Sequence, residues 1–184
     1  MEVRGVAVKS TIKFVKQKFA QDFNEWVNSL PKSSFNIISN DISNSKWYSF
    51  KDAVLIPTNS IIDKFYPNKI SGAKEIGRFS AETGLQGIYK YFVKYGSPSF
   101  IINRATKIFQ TYYKNSKIEV ISSTKDSVIL KITEFNELDK YTEARISGWM
   151  ERALEISGCK NLKTNIINSI SDGHNYSELF ITWE

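Results

Sequence analysis

Few side chains in this sequence could carry out chemistry, and they lie far apart along it. Cys159 is the single cysteine and His174 the single histidine. A zinc site needs several thiolate or imidazole ligands, and a reactive thiol needs a partner that lowers its pKa. We therefore expect Cys159 to be a buried, inert thiol and His174 to be exposed beside a turn at Asp172-Gly173. The sequence predicts no metal site.

An acidic run is the nearest approach to a set of catalytic carboxylates. It consists of Glu134, Glu137, Asp139 and Glu143. Paired carboxylates can act as general acid and base or bind a cation. This run lacks the glycine of a calcium loop and has no histidine partner, so we expect a solvated loop. Because no acid, base and nucleophile converge, the sequence predicts a protein that is not an enzyme.

Three lysines, at positions 9, 13 and 16, share one face of the first predicted helix. Such a face could contact anionic lipid or nucleic acid, and the net charge of +6 permits an anionic partner. However, no RNA-binding motif interleaves aromatic and basic residues. We predict a solvated helix face and no nucleic-acid partner.

The most informative pattern is a row of small residues inside one predicted helix. Each interior glycine costs a helix about 1 kcal/mol relative to alanine, so a close contact must compensate. Close packing against a neighbouring helix and a ligand cavity beside the row both stay open as explanations. A phosphate-binding loop is not expected, because the G-K-[ST] ending is absent. The row consists of Gly77, Ser80, Ala81, Gly84 and Gly87.

The elements that must position this row are mostly helical over the first two thirds of the chain. Apolar residues recur there at helical spacing, and proline or glycine marks several of the ends. The boundary at Gly96-Ser97-Pro98 combines a helix stop, an N-cap and a first-turn proline. We predict a strand over residues 2–8, a short helix in the connection 32–49, and helices starting at 10 and spanning 22–30, 52–65, 71–95 and 98–114.

The last third of the chain has period-two patterns that predict two hairpins on either side of a helix. The first hairpin spans 117–135 with a turn at 124–126, and the helix spans 142–156. The second hairpin spans 161–183 around Asp172-Gly173. This order predicts an α+β fold in which a helical layer packs on a small antiparallel sheet. The length predicts one domain over residues 1–184.

Nothing in the sequence indicates a membrane or secretory address. No stretch approaches the roughly 18 apolar residues of a membrane span. The first residues lack the apolar core of a signal peptide, and a single cysteine fits a reducing compartment. We expect a cytoplasmic protein without a transmembrane segment.

The order of the elements also carries a resemblance to a known superfamily. The relevant stretches are GRFSAETGLQGIYKYFVKYGSPSFIINRATKIFQTYY, a hairpin, ARISGWMERALEISG and a closing hairpin. They resemble the ligand-binding superfamily shared by haem-dependent nitric-oxide sensors, 4-vinyl reductase-like domains and TRAPP Golgi-transport subunits, in particular a bacterial branch of it. The resemblance implies a helix-plus-sheet fold with an interior cavity, and no single activity.

Within this resemblance, the cofactor expectation is negative. The haem sensors place an axial histidine on a helix and clamp the haem propionates with a Tyr-x-Ser-x-Arg motif, which is not found here. His174 lies at a predicted turn instead. The 4-vinyl reductase-like domains have several cysteines, whereas Cys159 is the single cysteine here. Some TRAPP subunits have an acylated cysteine on an early helix, and Cys159 does not lie on one. We therefore predict no cofactor, and no haem in particular.

These observations predict a non-enzymatic domain that binds an apolar small molecule or acts as a sensor. An assembly module that forms homo-oligomers, as TRAPP subunits assemble, is the alternative, and an enzyme of unknown reaction comes third. We assign Gly77, Ser80 and Gly87 to close packing of helices. The residues predicted to line the cavity are Trp47, Ala81, Gly84, Leu85, Ile88, Ile101, Ala105 and Ile108.

Overall fold

The computed structural model describes residues 1–85 and 97–184. No helix in these two segments is long and apolar enough to cross a membrane. The helices are α1 (Gly5–Lys18), α2 (Phe23–Ser29), α3 (Lys32–Ile38), α4 (Ile56–Phe65), α5 (Lys69–Gly84), α6 (Pro98–Tyr112) and α7 (Lys140–Ile156). The strands are β1 (Glu2–Arg4), β2 (Trp47–Ser49), β3 (Tyr113–Lys114), β4 (Lys117–Ser123), β5 (Ser127–Thr133), β6 (Lys163–Asn168) and β7 (Ser177–Thr182).

The main sheet confirms the predicted α+β fold. Its strand order is β4-β5-β7-β6, and every neighbouring pair is antiparallel. Both predicted hairpins are present, one on each side of α7. Along β5 the side chains of Val128, Leu130 and Ile132 are buried while their neighbours are half-exposed, which gives the sheet one inner face. Helices cover that face.

Side-chain caps fix the beginnings of the three helices that matter most for the site. Asn68 accepts a hydrogen bond from the Ser71 amide at the start of α5, and Asp139 does so from the Thr142 amide at the start of α7. The predicted boundary at Ser97 is confirmed, since its Oγ accepts a hydrogen bond from the Phe100 amide and Pro98 occupies the first turn of α6.

The N-terminal strand is shorter than predicted, because α1 begins at Gly5 and not at Ser10. A Cβ at Gly5 would lie 2.0 Å from the carbonyl oxygen of Ser43, so the chain can turn into the helix here only with glycine. The strand itself pairs with β2 and β3 in a small sheet that the period-two pattern did not predict.

The tightest contact between helices joins α5 to α7. A Cβ at Gly77 would lie 1.9 Å from the carbonyl oxygen of Arg145, and a Cβ at Gly148 would lie 2.2 Å from that of Lys74. The two glycines therefore let each backbone touch the other. The helix that Gly77 contacts is α7, which lies far along the sequence, and not the next helix, α6. Ala81 and Leu85 do meet α6, in a separate small cluster of buried residues.

Ion pairs border the α5–α7 crossing. Lys74 Nζ lies 2.7 Å from Glu151 Oε1, and Arg78 Nη2 lies 2.6 Å from Glu155 Oε2. Burial opposes the charge on Glu155, but hydrogen bonds from Arg78 and Arg152 outweigh it and hold the pKa of that carboxyl below its ordinary value. These pairs fix the register in which the two glycines meet.

The second hairpin turns differently from the prediction. Instead of a two-residue turn, residues 169–176 form a longer loop with one 3-10 turn over Ile170–Asp172. Gly173 follows with φ 94°, a left-handed conformation that favours glycine. His174 is exposed in this loop, as predicted.

A buried carboxylate explains the longer loop. We expected Glu143 to be solvated, which was wrong, because it lies in the first turn of α7 and is 1% exposed. Its carboxylate accepts hydrogen bonds from Ser169 Oγ at 2.7 Å, from the Ile170 amide at 3.1 Å and from Ser177 Oγ. The loop therefore folds around this charge and is tied to α7.

Candidate functional site

A cavity of about 190 Å³ lies where α1, α5, α6 and α7 meet. Most of its wall is apolar, and an apolar cavity of about 150 Å³ already holds a benzene molecule. The described cavity therefore has room for one aromatic ring. Its lining residues are Val6, Ala7, Lys9, Ser10, Lys13, Gly77, Ser80, Thr83, Gly84, Ile108, Phe109, Tyr112, Tyr113, Arg145, Ile146, Trp149 and Met150.

The glycines of α5 have two different effects on this cavity. Gly77 brings α7 close, as described above. Gly84 leaves space toward the described residues, because among residues 1–85 and 97–184 a Cβ there would meet only Tyr112 Oη, at an ordinary contact distance of 3.5 Å. Gly77 therefore allows the close contact between α5 and α7, whereas Gly84 makes the cavity wider.

The structure brings some of the predicted site residues together and separates others. Gly84 and Ile108 line the cavity, and so do Gly77 and Ser80, which we had assigned to helix packing. Three others pack beside the cavity in the small cluster with Ala153, and these are Ala81, Leu85 and Ile101. Ile88, Gly87 and the side chain of Ala105 lie outside the described residues.

Trp47 does not close the cavity. It lies on β2 in the small sheet, and its ring packs under the guanidinium of Arg4 at 4.1 Å from the ring centroid. A tryptophan in a polar stretch is consistent with a buried anchor or with a surface cation–π partner, and the sequence pattern does not separate these.

Arg145 is the most unusual residue of the cavity wall, and sequence reasoning missed it. It is 4% exposed, and its guanidinium donates hydrogen bonds to Thr58 Oγ1 at 2.6 Å and Thr11 Oγ1 at 2.9 Å. No carboxylate of residues 1–85 or 97–184 forms an ion pair with it. Burial lowers the pKa of Arg145, which is the cost of holding a charge away from water.

Lysines add further positive charge at the edge of the cavity. Lys9 and Lys13 are exposed and line it from α1. Together with Lys16 they also border an open groove of about 700 Å³ beside α2 and α3. Exposure of these lysines agrees with the predicted solvated face. The electrostatics of the cavity are therefore positive both in the wall and at the rim.

The remaining candidate, Cys159, is buried directly after α7, as predicted. Burial raises the pKa of the Cys159 thiol. A raised pKa reduces the thiolate fraction at neutral pH. The residue does not belong to the cavity lining.

Comparison by sequence gives no match to any family model and none to a curated protein. Comparison by structure gives strong matches. An H-NOX protein from S. oneidensis in the Fe(II)NO ligation state aligns with TM-score 0.73 and 12% identity, covering 98% of this chain and 99% of that one. A variant H-NOX protein from K. algicida, Fe(II) unliganded, aligns with TM-score 0.71 and 11% identity over 98% and 96%. The likeness is one of fold.

The prediction of no cofactor, and of no haem in particular, was wrong. A further neighbour, from work on haem distortion in the H-NOX family, aligns with TM-score 0.69 and 14% identity over 98% of this chain and 95% of that one. The described chain thus shares its fold with H-NOX proteins, one of them from work on haem, and this finding overturns the exclusion of haem. The structural neighbours named here are H-NOX proteins, and the 4-vinyl reductase-like and TRAPP parts of the resemblance stay predictions.

One reason for that error is visible in the sequence. The Tyr-x-Ser-x-Arg spacing is present with a single change, as Tyr141, Glu143 and Arg145. The structure shows what the change does, since Glu143 turns to the β6–β7 loop while Arg145 stays at the cavity. This spacing is the one local signal in the sequence that points to Arg145.

Proposed function

We propose that this protein is a non-enzymatic, sensor-type domain that binds a small anion with an apolar body in the cavity between α1, α5, α6 and α7. The observation that carries the proposal is the buried guanidinium of Arg145, which has two threonine partners and no described carboxylate. An isolated buried charge costs several kcal/mol, which an anionic ligand would offset. The apolar wall adds about 25 cal/mol for each Å² of ligand surface it covers.

Haem is one candidate for this ligand, because it combines an apolar ring with carboxylates and proteins of similar fold contain it. Arg145, Lys9 and Lys13 would pair with the carboxylates. Tyr112 and Met150 line the cavity and have atoms of types that coordinate haem iron. Bound haem would supply an iron that binds gaseous ligands.

The cationic and iron-coordinating side chains of the lining thus match the chemical groups of haem, whereas the volume of the cavity matches a smaller molecule. Common ligand sites enclose roughly 300–1,000 Å³, against about 190 Å³ here. Haem would require the helices around the cavity to separate.

The assembly module left open by the sequence is less well supported. Assembly surfaces are exposed, whereas the uncompensated charge of Arg145 lies in the interior. An interior charge is recognised by a molecule small enough to enter.

Benzoate and benzamide have nearly the same shape and differ in charge, so they test the role of Arg145. We expect benzoate to bind the full chain at least 10-fold more tightly than benzamide, since a hydrogen bond to a charged group contributes about 1.5–3 kcal/mol. Amide chemical shifts in a two-dimensional NMR titration would give both affinities and locate the site.

The matched variant is Arg145→Met, which keeps much of the side-chain length and removes the charge. We expect the preference for benzoate to disappear while the free energy of unfolding of the ligand-free protein stays within about 1 kcal/mol of wild type or rises, since a buried charge is removed. Equal binding of the two probes to the wild type would contradict the proposal, as would no binding of either.

A hemin titration separates the two kinds of occupant. If haem fills the cavity, the Soret band shifts, the shift is weaker in Arg145→Met, and bound hemin prevents benzoate from binding. If the occupant is a smaller anion, benzoate binds equally well with and without hemin.

A further inference from the structure

Three hydroxyl groups on the cavity wall form a hydrogen-bonded chain. Their chemistry is the reverse of that of Arg145, because they accept hydrogen bonds where Arg145 donates them. Ser10 Oγ of α1 lies 2.9 Å from Ser80 Oγ of α5 and 3.3 Å from Thr83 Oγ1. Ser80 Oγ lies 2.9 Å from the carbonyl oxygen of Ile76, and Thr83 Oγ1 lies 3.1 Å from that of Phe79. All three hydroxyl residues line the cavity.

The positions of the three hydroxyl protons follow from these contacts. A hydroxyl has one proton and two lone pairs, and a carbonyl oxygen can only accept. Ser80 therefore donates its proton to Ile76, and Thr83 donates its proton to Phe79. Because the Ser80 proton is already used, the proton between Ser10 and Ser80 is that of Ser10. Every proton of the cluster is engaged within the protein.

What the cluster can offer a ligand is therefore lone pairs only. Serine and threonine commonly bond the carbonyl one turn earlier in a helix, and this fixes the hydroxyl rotamers of Ser80 and Thr83. A ligand donor, a hydroxyl or an amine, would complete the chain. A ligand ether, carbonyl or carboxylate would face oxygen lone pairs and be disfavoured.

We propose, on the basis of the function proposed above, that the cavity recognises a small acid with an apolar body and a hydrogen-bond donor at its other end. Arg145 takes the anion and the cluster of Ser10, Ser80 and Thr83 takes the donor. Arg145 and the hydroxyl cluster differ in what they bind, so together they also fix the orientation of the ligand. Hydroxylated or aminated aromatic acids are the matching chemical class.

Three probes of one ring each test this inference on the full chain at pH 7. Benzoate has the anion alone, 4-hydroxybenzoate adds a donor, and 4-methoxybenzoate replaces that donor by an acceptor. We expect 4-hydroxybenzoate to bind about 3–10-fold more tightly than benzoate, as one net hydrogen bond gives, and 4-methoxybenzoate to bind no more tightly than benzoate. NMR titration of the amide signals measures all three affinities.

The double variant Ser10→Ala/Ser80→Ala should reduce the advantage of 4-hydroxybenzoate over benzoate to twofold or less. The control is Ser29→Ala/Ser39→Ala, which removes two serine hydroxyls that donate to the carbonyl oxygens of Trp26 and Phe35, away from this cavity. It should leave the advantage unchanged.

The outcomes are distinct. Binding of all three probes with equal affinity, or tighter binding of 4-methoxybenzoate than of benzoate, overturns the donor inference and leaves the proposed function standing. Binding of none overturns the proposed function and the inference with it.

Discussion

Gly77→Ala should lower the free energy of unfolding by about 3 kcal/mol or more, at the upper end of what overpacking costs. The added methyl carbon would lie 1.9 Å from the Arg145 carbonyl oxygen, and that atom belongs to backbone at the centre of α7. Neither helix can yield locally, so α5 and α7 would have to separate along the ion pairs that border them. Urea unfolding followed by circular dichroism measures the change.

Gly84→Ala is the matched control in the same helix. Among the described side chains its methyl carbon would meet only Tyr112 Oη, at 3.5 Å, and alanine favours a helix by up to about 1 kcal/mol over glycine. We expect the variant to be as stable as wild type or up to about 1 kcal/mol more stable. Equal effects of the two substitutions would contradict the close α5–α7 crossing.

Glu143→Ala should cost about 3–5 kcal/mol, the other large effect expected here. The substitution removes the common acceptor of Ser169, Ser177 and the Ile170 amide. The Ile170 amide keeps Ser177 Oγ and Ser169 Oγ keeps Ser171 Oγ, so the Ser177 hydroxyl is the buried donor left without an acceptor, which costs about 1–3 kcal/mol. The cavity left by the buried side chain adds about 2 kcal/mol. Faster hydrogen exchange at the Ile170 amide would show that the β6–β7 loop has been released from α7.

Glu119→Ala is the comparison for that experiment. Glu119 is an exposed carboxylate on β4 whose partner is Lys117 on the same strand. Surface pairs contribute about 0–1 kcal/mol, so we expect a change within about 0.5 kcal/mol. If Glu143→Ala were equally mild, the buried carboxylate would not be holding the loop.

The apolar pattern of the sequence predicted the two hairpins and the helix between them. It did not predict the small sheet of β1, β2 and β3 or the buried polar residues. Alternation in β5 and the capping sequence before α6 each depend on a few neighbouring residues, and both were predicted correctly. Arg145 and its acceptor Thr11 are 134 positions apart. No local pattern relates them, and a polar residue next to apolar ones in a helix is ordinarily read as solvent-facing.

The environments of two residues differ from those that their neighbours in sequence predicted. Glu143 belongs to an acidic run whose other members suggested a solvated loop, although the start of α7 carries it into the interior. Trp47 was predicted to line the cavity, although its ring packs against the guanidinium of Arg4 on the adjacent strand β1. In both cases a contact with a residue distant in sequence decided the environment.

The paired glycines of α5 and α7 also limit how the protein can respond to an occupant. Because Gly77 and Gly148 each seat the opposite backbone, translation of one helix along the other is blocked at that point. Pivoting about it is the movement that remains. A ligand that displaces the Gly84 end of α5 would therefore tilt the opposite end of the helix, near Asn68, in the other direction.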